Sequence, residues 1–145
     1  MLRPLFTIAA LAVAATAVIA QTGDPIEQRR ALMKAVGAQT AIGTRMANGR
    51  EPFDAAKAKE VLRVYAEAAD KGHAYFPETS KTGGGTTAAP KIWETQADFR
   101  ARFDSWAAEI KKASDSTNTL DAFKASFGEL TKSCASCHQA YRIQA

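Results

Sequence analysis

Near the carboxyl end of this chain, Leu120, Phe123, Phe127, Leu130, Cys134, Cys137 and Tyr141 are separated by gaps of 3, 4, 3, 4, 3 and 4. No other feature of the sequence constrains the fold as tightly. This spacing keeps one side of an α-helix facing the same way over about six turns. A helix with one apolar stripe has to bury it against other elements. Alanine is plentiful and β-branched residues are sparse in the rest of the chain, which favours helix over sheet. No segment alternates apolar and polar residues with period two, so no sheet is expected.

Three more segments carry the helical period. The first runs from Pro25 to Asn48, with Ile26, Met33, Val36, Thr40 and Ala47 on its stripe. Asp24-Pro25 supplies a capping acceptor and a proline suited to the first helical position, and Asn48-Gly49 supplies the stop. The second runs from Asp54, as cap, to Lys71, with Ala58, Val61, Leu62, Tyr65 and Ala69 inward. The third is expected from Pro90 to Ser114 through Ile92, Phe99, Phe103, Trp106 and Ile110. The fourth is the heptad segment, Leu120 to Arg142, with Asn118 as its expected cap. Between the second and third, residues 72–90 form a connection too long for a plain link in a compact domain, hence a flexible flap or a functional lid. Four helices with otherwise short links predict an all-α, antiparallel up-down four-helix bundle.

Residues 1–20 read as an address. A single charge, Arg3, precedes an alanine-rich apolar run that ends Val18-Ile19-Ala20, a signal-peptide pattern with cleavage expected after Ala20. The domain would then be residues 21–145, exported to a bacterial periplasm, with no membrane attachment after cleavage. The formal charge of +4 has no clustered source, since Lys and Arg interleave with Asp and Glu along most of the chain. This pattern makes solvated helix faces, and no nucleic-acid partner is expected.

The two cysteines stand in the motif Cys134-Ala-Ser-Cys137-His138, the C-x-x-C-H of covalent c-type haem attachment. Spacing i, i+3 puts both sulfurs on one side of a helical turn, where two thiols can add to two vinyl groups as thioethers. The following histidine then projects under the porphyrin as a proximal iron ligand. One haem c per chain is therefore expected, with Cys134 and Cys137 as anchors and His138 on iron. A disulfide is poorly placed on consecutive turns of one helix face. A thioredoxin-like redox pair belongs beside a βαβ unit, and none is present. Zinc needs four ligands, and His73 is the only other histidine. Only seven residues follow His138 and none is methionine, so a sixth iron ligand would have to come from upstream.

With the motif at this end of the chain, the sequence resembles the class II cytochromes c, the cytochrome c′ and cytochrome c-556 group. The resemblance covers Gln21 to Ala145. It is carried by Cys134 to Arg142, by Arg29-Arg30-Ala-Leu32-Met33-Lys34 and by Pro90-Lys-Ile92-Trp93, with support from Phe76-Pro77 and Pro52-Phe53-Asp54. It implies that the first and fourth helices enclose the haem. It also implies that Arg142 lies near the proximal face or a propionate; a surface arginine favoured by the helix dipole explains that residue equally well.

By the same resemblance, Met33 faces the distal side of the haem. If its sulfur binds iron, the haem is six-coordinate and the protein is a periplasmic electron carrier, because thioether ligation favours reduced iron. If Met33 only covers the iron, the haem is five-coordinate and its apolar distal side would admit nitric oxide or carbon monoxide. The first reading is preferred here. Met46 lies about 20 Å farther along the helix, too far to share the site. Tyr65 and Tyr141 read as core-edge residues, and His73 as solvated. No nucleophile–base–orienter set stands out, so the chain is not read as an enzyme. Redox partner proteins follow from the carrier reading without being named by it, and the resemblance leaves a homodimer through the first two helices open.

Overall fold

Helix starts and stops follow local chemistry. In the computed structural model, which describes residues 23–143, α1 (Pro25–Ala47) begins where the Asp24 carboxylate accepts the Ile26 N–H at 2.9 Å, with proline in the first turn. It ends at Asn48 and turns away through Gly49, whose φ of 70° suits glycine. Helix α2 (Ala55–Lys71) is capped by Asp54, which accepts from Ala56 and Lys57 at 2.8 and 3.0 Å. The expected signal segment, residues 1–20, lies outside the described residues.

The third expected helix is two pieces, α3 (Lys91–Glu94) and α4 (Gln96–Ser116). The break falls at Thr95, which leaves the helical region (φ −131°, ψ 50°) while its N–H and hydroxyl both donate to the Lys91 carbonyl. A side chain that bonds back to the preceding turn in this way competes with helix continuation. Helix α5 (Leu120–Tyr141) is capped by Thr119, whose Oγ1 accepts from Ala122, and not by Asn118 as expected. Thr119 is the residue with extended dihedrals whose carbonyl takes the Phe123 N–H, so Asn118 lies one position too early.

The four long helices pack in chain order around the bundle. Helix α2 lies against α1 and α4, α4 lies against α5, and α1 and α5 touch least. The main core joins Val36 and Met46 of α1, Leu62 and Tyr65 of α2, Ile110 of α4, and Phe123, Phe127 and Leu130 of α5. Tyr65 is fully buried, a correction to its expected place at the core edge. Its hydroxyl lies 2.6 Å from Thr40 Oγ1, which donates in turn to the Val36 carbonyl. A buried hydroxyl with a partner avoids the penalty of an orphaned one. A second cluster, Ile92, Trp93, Phe99, Phe103 and Tyr141, fills the other end of the bundle.

Helices α1 and α5 meet where Gly43 faces Phe127. A Cβ built on Gly43 would stand 2.5 Å from the Phe127 ring, so only glycine permits this approach. From there the two helices enclose a cleft that reaches the level of Met33 and Cys137, each ten residues away and about 15 Å along its helix.

The long connection is neither a free flap nor a sheet. It forms two short 3₁₀ turns, Gly72–Tyr75 and Glu78–Ser80, then meets the end of α5 through a single antiparallel bridge, Ala88 to Arg142. No helix among the described residues is long and apolar enough to cross a membrane.

Candidate functional site

The cleft between α1 and α5 holds two cavities. One, of about 600 Å³, is lined by Met33, Val36, Gly37 and Thr40 of α1, Phe103 and Trp106 of α4, and Cys134, Cys137 and His138 of α5. The other, of about 850 Å³, lies toward the long connection and is lined by Met33, Arg29 and Arg30, by Phe76, Phe99 and Phe103, and by Cys137, His138 and Arg142. Met33, Phe103, Cys137 and His138 line both cavities. The four residues named from sequence as anchors and ligands thus all line the first cavity, from its two walls. Arg142 lines the second cavity only, and Met46 lines neither, being fully buried in the core.

The motif stands on the last two turns of α5, fixed to α4 through Ser133, just before Cys134, and through Ser136, between the two cysteines. Ser133 Oγ donates to Glu109 at 2.6 Å, and Arg102 donates to Ser136 Oγ at 3.0 Å. Cys134 and Cys137 are half-buried thiols on the cavity wall, so the apolar stripe of α5 opens here into a space where it was expected to enter the core. Burial pushes the Cys134 thiol up to about 11, with the neighbouring Cys137 adding to the shift, and burial also raises Cys137 against the pull of Arg102. Redox cysteine pairs work through a lowered thiol pKa, so this pair is wrong for disulfide exchange. Burial, and then the Arg142 guanidinium, hold His138 below the usual histidine range. Its ring is therefore neutral at pH 7 and has a lone pair to give to a metal.

Three features of the walls suit a large flat cofactor. A Cβ built on Gly37, one turn beyond Met33, would meet nothing within 4 Å, so α1 offers open space there. Trp106 Nε1 is buried on the wall without a hydrogen-bond partner. Arg30, Lys34 and Arg142 line the second cavity with Glu27 as the only carboxylate among the described residues, which suits acidic substituents. Among the described residues no cluster of His, Cys, Asp and Glu could hold a bare metal ion. Two adjacent thiols and one imidazole instead match a metal carried in a macrocycle.

Sequence reasoning missed Phe103, Trp106 and Arg29 as cavity residues. The aromatic pair lies on the α4 stripe, where core packing explains the pattern equally well. His73 was expected to be solvated but is half-buried, its ring edge-on to Phe103 with centroids 6.2 Å apart.

A four-helix bundle with a C-x-x-C-H wall on its last helix defines a helical c-type cytochrome. The cytochrome c′ family model matches residues 24–142. Among curated relatives, a cytochrome c′ of Rhodopseudomonas palustris is 37% identical over 95% of this chain and 94% of its own length. A cytochrome c-556 of the same organism is 29% identical over 98% of this chain and 97% of its own. The solved structure of cytochrome c′ from Rhodopseudomonas palustris superposes with a TM-score of 0.81 at 36% identity, covering 85% of this chain and 98% of that one. The chain belongs to the cytochrome c′ family, whose members carry covalently attached haem c.

Proposed function

We propose that this chain is a periplasmic mono-haem electron carrier, with Cys134 and Cys137 as thioether anchors, His138 as proximal iron ligand and Met33 as distal ligand. The observation that carries the reading is the position of Met33: it stands on α1 across the cleft from the motif and, like Cys137 and His138, lines both cavities. Bound haem supplies one-electron redox chemistry. The protein's part is to hold, orient and exclude water. The i, i+3 thiols would hold the group to α5 through its vinyl substituents, neutral His138 would offer its lone pair, and Phe103 and Trp106 close the α4 side. Arg142, with Arg30 and Lys34, forms the cationic rim for the acidic edge. A thioether on iron stabilises the reduced state and suits a carrier. Redox proteins are the partners of such a carrier, and its role is transfer rather than catalysis.

A second reading is favoured by the open space at Gly37 and by the similarity to a protein named cytochrome c′. In it Met33 only covers a five-coordinate iron, and the cavity admits a diatomic gas. Absorption spectra of the holoprotein, oxidised and reduced, with and without carbon monoxide, separate the two. The carrier reading expects low-spin bands, weak gas binding, and conversion to high spin in Met33→Ala. Unchanged spectra in that variant would remove Met33 as a ligand.

A further inference from the structure

At one end of the cleft Gly43 of α1 packs on Phe127 of α5. At the other end, its mouth, Met33 of α1 and His138 of α5 line a cavity together with Thr86, Thr87 and Ala88 of the long connection, which crosses from one helix to the other. Two adjacent residues make the crossing. Thr86 Oγ1 accepts from Arg29 Nη2 of α1 at 2.6 Å. The Thr87 carbonyl accepts the Ile143 N–H at 2.8 Å, and Thr87 Oγ1 accepts from Arg142 Nε at 3.3 Å, both just past α5. One peptide bond therefore separates the attachment to one wall from the attachment to the other. The Ala88–Arg142 bridge and the bond from Ala89 N–H to the Tyr141 carbonyl, 3.0 Å, extend the hold on α5.

On the α1 side the hold depends on Arg29, which is 5% exposed. Nη1 donates to the Tyr75 carbonyl at 3.0 Å and to Ser80 Oγ at 2.8 Å, while Nη2 donates to the Ser80 carbonyl at 3.0 Å and to Thr86. The guanidinium also lies 4.8 Å over the Phe76 ring. These bonds engage four of the five guanidinium donors, so the terminal nitrogens are committed to the connection. Burying an arginine is costly unless such bonds compensate it. Met33 is one turn farther along the same face of α1.

We infer that Arg29 and the Thr86–Thr87 crossing form a strap that sets the distance between α1 and α5 at the mouth. The strap thereby decides whether the Met33 sulfur reaches iron held at His138. Arg29 is a positioning residue for distal coordination. The inference rests on the Met33 and His138 assignments proposed above, and it adds the element that enforces them. Direct packing between α1 and α5 is the weakest of the bundle's neighbouring contacts.

The test compares wild type, Arg29→Gln, Thr86→Val and Met33→Ala as holoproteins. Three properties are read: the low-spin fraction of the absorption spectrum, carbon monoxide affinity, and the rate of trypsin cleavage after Lys81, an exposed residue within the connection. Thr86→Val removes one hydroxyl, which accepts from the Ala88 N–H at 3.2 Å as well as from Arg29, and serves where Arg29→Gln fails to fold. If the strap sets coordination, both strap variants are cut at Lys81 at least about tenfold faster. They also shift toward high spin and bind carbon monoxide about tenfold more tightly, which corresponds to 1.4 kcal/mol of lost competition from Met33. Faster cleavage with unchanged spectra and gas affinity overturns the inference while a responsive Met33→Ala keeps the ligation reading intact. A spectral shift without faster cleavage, or no change in either property, also overturns it. If Met33→Ala leaves the wild-type spectrum unchanged, the ligation reading fails and the strap's role in it fails too.

Discussion

The two ends of the α1–α5 pair are built from the same helices and behave in opposite ways. At the Gly43 end the helices touch through a missing side chain. Phe123 and Phe127 stack there with centroids 5.1 Å apart, and Phe53 closes over Phe123 at 5.9 Å. At the Met33 end the same stripe of α5 carries two thiols before Tyr141, and the walls enclose cavities. Interiors pack to near-crystalline density, so an opening of this size in a small bundle is maintained by particular devices and is not slack. The devices here are Phe103 on the α4 side and the strapped connection at the mouth. The closed half carries the main packed core, and the open half carries the residues proposed to hold the haem.

Substitutions in the closed half test that separation. Phe123→Ala has the largest expected effect. It should cost about 3–5 kcal/mol in denaturant unfolding of the holoprotein, because a fully buried ring is removed from a packed stack. The visible spectrum should stay as in wild type, and a spectral change would break the division between the halves. Gly43→Ala should cost about 1–3 kcal/mol, since its Cβ would stand 2.5 Å from the buried Phe127 ring.

Tyr65 lies on the boundary, its hydroxyl on Thr40 of the cavity wall and its ring against Trp106 at 5.4 Å. Burial raises its phenol from 10.0 to about 12, offset in part by the Thr40 bond. The folded state therefore keeps the proton that the unfolded state loses first. This contribution is complete below pH 10 and disappears as pH rises from 10 toward about 12. Tyr65→Phe should lower stability at pH 8 by about 1 kcal/mol and flatten the alkaline decline, as measured by unfolding midpoints across that range. An unchanged alkaline slope would place the titration elsewhere. The smallest effect is expected from Gly128→Ala. Gly128 adjoins Phe127 but a Cβ there meets nothing within 4 Å, so the substitution should stabilise the helix by about 0.5–1 kcal/mol. A loss would show that α5 needs the glycine for a reason other than approach to α1.

Most of the framework was legible in the sequence because local chemistry decides it. Asp24 and Asp54 are caps with their acceptors in place, and the heptad stripe of α5 needs no tertiary information. The break at Thr95 was not legible, since threonine inside an apolar helical pattern is ordinary and only its bond back to Lys91 marks the turn. The motif and Met33 could be named because their residue types carry chemistry. That they line one space depends on the antiparallel register set by Gly43 against Phe127. The signal for that contact, a glycine on the inner face of a helix, also reads as a simple loss of helix propensity. Arg29 was hidden for a different reason. An arginine in an Arg-Arg pair reads as solvated, and its burial depends on four acceptors placed 46 to 57 residues away.

Covalent attachment of haem c also affects how the bundle responds to dilution. A dissociable ligand stabilises its protein in proportion to the logarithm of its free concentration, so dilution removes the benefit. A group attached through thioethers travels with the unfolded chain and returns at an effective concentration set only by the tether. The open half of this bundle then gains its filler on every refolding event, at any protein concentration, as if the filler were one more side chain of α5.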